Sequence, residues 1–226
     1  MEVIMGIYKN EYEIIENVFT PIYLTVIALI QGIALSLLIQ KIVLNLETDE
    51  IFYWKRYVVG GVIIFSVWHH YMYTVIYLRW FPDVLESLLP LSIGVSEIFM
   101  AELSNNAPEQ WLLSVMSVFF FGGFAYFNAA FKIRPLFFEE RINSSSDAEK
   151  HCKNISICHG VAGIFCILHA FFLLSFALCF SSSNLYTCFM YLVLFYCIIH
   201  VVVYELYYSL IIRPHFREAI KYRKSE

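Results

Sequence analysis

From Asn17 to Gln40 the chain carries no charged side chain. A helix needs about 20 apolar residues to cross a hydrocarbon layer of roughly 30 Å, so this one run already decides the solvent in which the chain must fold. Comparable runs follow. The second is 57–78, between Lys55-Arg56 and Arg79, and the third is 84–101. The fourth, 110–131, stops at Lys132, and 157–180 and 185–212 complete the set. Hydrophobic residues make up 60% of the 226 and charged residues 15%, against roughly 45–50% and about 25% in soluble domains. That surplus exceeds what one core can hide. The expected fold class is an all-α integral membrane protein, a single membrane domain over 1–226 built as a six-transmembrane-helix bundle.

The third run is the most polar, with Glu86, Pro90, Gly94 and Glu97. Keeping it sorts the charges. The N-terminal tail, the 79–83 turn, the 132–156 loop and the 213–226 tail then share one side. That side holds Lys9, Arg79, Lys132, Arg134, Arg141, Lys150 and Lys153 as well as the tail's bases. The opposite side holds Lys41, Lys55 and Arg56. The excess of Lys and Arg marks the cytoplasmic side, so both termini are expected there, with the plasma (inner) membrane as the expected location. Glu2, Glu11, Glu13 and Glu16 precede the first span with Lys9 the lone base. That is not the charge pattern of a cleaved signal peptide, and a retained anchor is expected. Trp54, Trp80, Phe81 and Trp111 fall at span ends, where amphipathic rings favour the headgroups.

Two short matches link the halves of the chain. Gly60, Ile64, Phe65 and His69 are echoed by Gly160, Ile164, Phe165 and His169; Gly32, Ala34, Lys41 and Ile42 are echoed by Gly123, Ala125, Lys132 and Ile133. Two units of three helices would insert as inverted repeats, the construction of many transporters. Chance matching of common apolar residues is the alternative.

Ionisable groups inside a bilayer tend to face a bundle interior or a water path. His69, His169 and His200 are expected about 15–18 Å from the cytoplasmic ends of their spans, at about 1.5 Å per residue. A shared layer of imidazoles could pass protons, hold a metal or haem, or act as interhelical glue. His70 points about 100° away from His69. Glu97, on the polar third span, is the best candidate to line a cavity, and Glu205 could pair with His200 or with the basic tail. Gly122, Gly123, Ala125, Asn128 and Ala129 in the fourth span, with Gly160 and Gly163 in the fifth, read as close-packing faces. Arg213, Arg217, Lys221, Arg223 and Lys224 could hold anionic headgroups or a cytoplasmic partner.

Other signals are weaker. The six cysteines form no CxxC pair, which disfavours a zinc ribbon or finger, though Cys179 and Cys188 flank one short outer loop. Asn143-Ser144-Ser145 and Asn154-Ile155-Ser156 match the glycosylation pattern but fall on the expected cytoplasmic side. No phosphate loop, GxSxG or HExxH is present, and the basic residues form no stripe suited to nucleic acid.

Trp68-His69-His70, after an apolar first helix in which Gln31-Gly32 precedes Ile33 to Ile39, resembles the six-helix potassium channels of bacteria and lysosomes, the transmembrane protein 175 class. In that family a Trp- and His-rich stretch follows the pore-lining first helix. The family's Phe-Ser-Asp is replaced here by Leu29-Ile30-Gln31. The resemblance implies an ion channel whose first helix lines the pore.

The expected function is therefore an ion or proton pathway, as a channel or transporter, in a chain that forms homo-oligomers. A membrane-embedded haem or metal redox protein built on the histidines is the second reading. A membrane subunit that docks a cytoplasmic partner is the third.

Overall fold

A computed structural model describes residues 2–46, 53–78, 84–105, 108–132, 145–180, 191–196, 198–199, 202–203 and 206. Every regular element among them is helical: α1 (Glu2–Leu46), α2 (Trp54–Leu78), α3 (Val84–Glu102), α4 (Pro108–Lys132) and α5 (Ser145–Phe180), with a 3-10 turn at Leu103–Asn105. Of the expected sixth span, the described positions are helical, and Val193 is buried in the common core. His200, Glu205, the basic residues Arg213, Arg217, Lys221, Arg223 and Lys224, and the 181–190 loop with Cys188 lie outside the described residues.

Two helices run past their expected ends. α1 continues through Pro21, which cannot donate to the ladder but leaves its own carbonyl in place. That carbonyl accepts from the Thr25 hydroxyl at 2.7 Å. α5 begins at Ser145, so the second half of the 132–156 loop is helix. The helix starts in the polar sequence Ser145-Ser146-Asp147, residue types that are favoured near helix N-termini.

Four segments among the described residues are long and apolar enough to cross a membrane: Pro21–Leu46, Ser87–Asn105, Pro108–Phe131 and Lys153–Leu178. α2 matches α4 in length, but His69, His70 and its tyrosines dilute its apolar character. The outward faces suit lipid. Ile22, Val26, Leu29 and Ile33 form an exposed stripe on α1, and Phe165, Leu168 and Phe172 form one on α5, each at helical spacing.

α1 packs on α2 and α3, α3 on α4, and α4 most extensively on α5. When lipid is the solvent, close backbone approach replaces the hydrophobic drive to associate, and glycines decide where it happens. A methyl group on Gly123 would lie 2.7 Å from Ile167 Cγ1 and 3.2 Å from the Gly163 carbonyl, and one on Gly163 would lie 3.1 Å from the Gly123 carbonyl. The backbones of α4 and α5 therefore meet at that pair. Gly122 and Gly160 have nothing within 4 Å of such a methyl and do not set this contact. Ala129 is buried, whereas Ala125 and Asn128 are half-buried. At the crossing of α1 and α3, a methyl on Gly94 would overlap Cγ2 of Ile30.

One end of the bundle is closed by polar contacts. Lys41 pairs with Glu102 at 2.8 Å, and the Arg56 guanidinium donates to the Ser104 carbonyl at 3.0 Å. Asn45, Tyr57 and Asn105 form a hydrogen-bonded cluster. Arg56, read from sequence as a loop charge, is only 2% exposed because α2 starts ahead of it. Trp111 is likewise fully buried in the core instead of sitting in a headgroup belt. The echoed positions also differ: Ile64 is buried and Ile164 is 52% exposed.

Candidate functional site: a buried carboxyl–amide pair and a histidine cluster

Glu97 is completely buried on α3, one helical turn beyond Gly94. The Gly94–Ile30 contact draws α1 in at the level where Gln31 follows Ile30, and Gln31 Nε2 donates to Glu97 Oε2 at 2.5 Å. α3 is softened around this point. Ser92 and Ser96 hydrogen-bond back to the carbonyls of Leu88 and Ser92, each at 2.8 Å, and Pro90 lies within the helix.

The pair is incompletely satisfied. Gln31 Oε1 and Glu97 Oε1 are both buried and have no hydrogen-bond partner among the described residues, and the same is true of the Tyr71 hydroxyl on α2. Gln31 of α1 and Glu97 of α3 thus form one polar pair, and Tyr71 of α2 is buried in the same hydrophobic core. An ionised carboxyl removed from water is costly unless a proton, a cation or several donors neutralise it. Among the described residues a single amide donor, Gln31 Nε2, is present.

A second cluster lies where α2 faces α4 and α5. The Tyr126 hydroxyl is 3.3 Å from His70 Nδ1, and Thr74 Oγ1 is 3.3 Å from His70 Nε2. The rings of His70 and Tyr126 are 4.4 Å apart, and His159 lies 6.2 Å from His70 and 5.9 Å from Tyr126. His159 is 1% exposed, with Nδ1 2.9 Å from the Ile155 carbonyl. That carbonyl can only accept, so Nδ1 carries the hydrogen and Nε2 is the basic nitrogen.

The histidines singled out in the sequence are distributed differently. His69 is half-buried and stacks on the exposed Phe65 of its own helix, while its neighbour His70 faces inward. His169 stacks on Tyr196 at 4.1 Å and meets the edge of Phe119. The α2 histidine that crosses the bundle thus meets α5 at His159, ten residues and about 15 Å of helix away from His169. Neither His159, His70 nor Gln31 stands out in the sequence as a site residue. The one available hint is the i, i+4 spacing of His70 and Thr74 on an otherwise apolar helix.

Beside the histidine cluster lies a cavity of about 70 Å³, which neither Gln31 nor Glu97 lines. Its lining includes His70 and Tyr71 of α2, Ile93 of α3, Gly122 and Tyr126 of α4, and Cys166 of α5. Among the described residues no three His, Cys, Asp or Glu side chains come together in a way that could hold a metal ion. Compared with protein-family models, with curated proteins and with solved structures, the chain matches none.

Proposed function

We propose that this chain is a membrane protein that moves protons through its helix bundle, with Glu97 as the group that takes up and releases them. In this reading six helices span the membrane and both termini are cytoplasmic. The observation that carries it is the Gln31–Glu97 pair: two hydrogen-bonded side chains, buried in spanning helices, each with an acceptor oxygen that no described residue supplies with a donor. A proton on the carboxyl turns Glu97 into a donor as well as an acceptor, which is what such a pair lacks. One carboxyl and one amide are enough to hold a proton, since a protonated carboxyl donates one hydrogen bond and accepts others.

The test is proton flux into liposomes that hold the purified chain and a pH-sensitive dye, driven by a potassium diffusion potential. The wild-type chain acidifies the lumen, Glu97→Gln does not, and Glu97→Asp retains a reduced rate. A wild-type chain no leakier than empty liposomes, or Glu97→Gln conducting normally, would overturn the reading.

A further inference from the structure

We propose that the cavity between α2 and α4 is a binding site for hydrocarbon, and that it takes the end of a lipid acyl chain. This rests on α4 spanning the membrane and is independent of the Glu97 reading.

The space exists because two helices face each other without meeting. Ile63, Val67 and His70 lie on one face of α2, and Phe119, Gly122 and Tyr126 on one face of α4, at helical spacing, and all six line the cavity. Among the described residues the backbone of α2 packs on α1 and α3 and makes no comparable contact with α4 or α5. The His70–Tyr126–His159 side chains bridge the gap at one end, and the rest of it stays open.

The lining selects the ligand. His70 has a hydroxyl against each ring nitrogen, Tyr126 at Nδ1 and Thr74 at Nε2. The Ser66 hydroxyl donates to the Val62 carbonyl of its own helix at 2.5 Å. The Tyr71 hydroxyl is sealed in the core and does not reach the space. A polar ligand would leave its own hydrogen-bonding groups unmet, which is costly. A hydrocarbon loses nothing there, and an apolar cavity stays dry until an apolar molecule enters.

Depth and size choose the acyl chain. Gly122 stands nine residues from one end of the span Pro108–Phe131 and fourteen from the other, about 14 and 21 Å at 1.5 Å per residue. That is the middle of a hydrocarbon layer roughly 30 Å thick, where the chains of both leaflets end. Val67, Phe119 and Gly122 are half-buried whereas Ile63, Ile93 and Val118 are buried. Among the described residues the space is thus closed toward the core and open outward between α2 and α4. At about 70 Å³ it is about half the roughly 150 Å³ that holds benzene. A ring is too large for it, and the last few carbons of a chain fit.

Gly122 makes the site testable. A methyl group there would meet nothing within 4 Å, so a larger side chain fills the cavity without forcing helices apart. Gly160 is equally unobstructed but does not line the cavity, which makes it the matched control.

The full-length chain is reconstituted into phosphatidylcholine vesicles doped with a phosphatidylcholine that carries a diazirine either on the terminal carbon of one chain or in the headgroup. After irradiation, adducts are mapped by mass spectrometry. The chain-end probe labels Val67 and Phe119, and the headgroup probe does not. Gly122→Leu lowers that label tenfold or more but leaves label on the exposed Phe165 and Phe172 of α5 unchanged. Val67→Phe, which narrows the space from α2, gives the same loss at Phe119, and Gly160→Leu changes neither. Cavity walls left unlabelled in the wild-type chain, because the space is a closed void or is filled by protein, would overturn the proposal. So would equal labelling by the headgroup probe, or label at Phe119 that persists in Gly122→Leu and Val67→Phe.

Discussion

Glu97 and His159 are both almost completely buried on helices of spanning length, yet they are accommodated in opposite ways. His159 gives its Nδ1 hydrogen to the carbonyl of Ile155, four residues earlier on its own helix. Glu97 has no such recourse. A carboxyl group needs donors, and the N–H groups of the surrounding helix are committed to the ladder. Its partner has to come from another helix, and Gln31 of α1 provides it. A buried imidazole can thus be satisfied locally and is indifferent to how helices cross. A buried carboxyl depends on the crossing itself. The glycine at that crossing, Gly94, is therefore as much a part of the Glu97 site as Gln31 is.

The largest expected effect tests this dependence directly. Gly94→Val forces α1 and α3 apart and costs about 3 kcal/mol by overpacking, seen as a lowered Tm in detergent. It abolishes proton flux through separation of Gln31 from Glu97, while the His70–Tyr126–His159 cluster keeps its contacts. Gln31→Leu comes next, at about 2 kcal/mol, because it strands a buried carboxyl with no donor. Adding Glu97→Leu to that variant should restore most of the stability, since replacing both partners by apolar groups can be nearly neutral. A double variant as unstable as the sum of the singles would break the pairing. His159→Leu is milder, below about 1.5 kcal/mol. The Ile155 carbonyl loses only a second donor and keeps the backbone N–H of residue 159. Lys41→Gln is the smallest, within about 1 kcal/mol, because Glu102 is half-exposed and its ion pair is weak in water.

The helices themselves were largely readable. The charge-free runs locate α1 and α4 and most of α5, and the polar third run is a helix, α3, despite Pro90 and Gly94. What composition hides is where helices continue into polar sequence. Ser145 to Ser156 joins α5, and Glu2 to Glu16 joins α1, because helix propensity and capping do not depend on apolar character. Glu97 is visible in the sequence as the deepest acidic residue of the third run. Its partner is not, since one glutamine in a long apolar helix carries no mark of what it meets 66 positions away. Arg56 and Trp111 mislead in the same manner: each looks like an interface residue until its neighbours are known.

The amino-acid order alone settled that this chain is helical, that its helices need an apolar solvent, and that a carboxyl would be carried inside one of them. The tertiary structure decided which face of each helix looks inward. It turned His70 instead of His69 across the bundle, brought His159 instead of His169 opposite it, and set Gln31 against Glu97. The reason is physical. Helices that are apolar all round have no wet side to orient them, so only contact between helices, at glycines where backbones can touch, fixes their rotation.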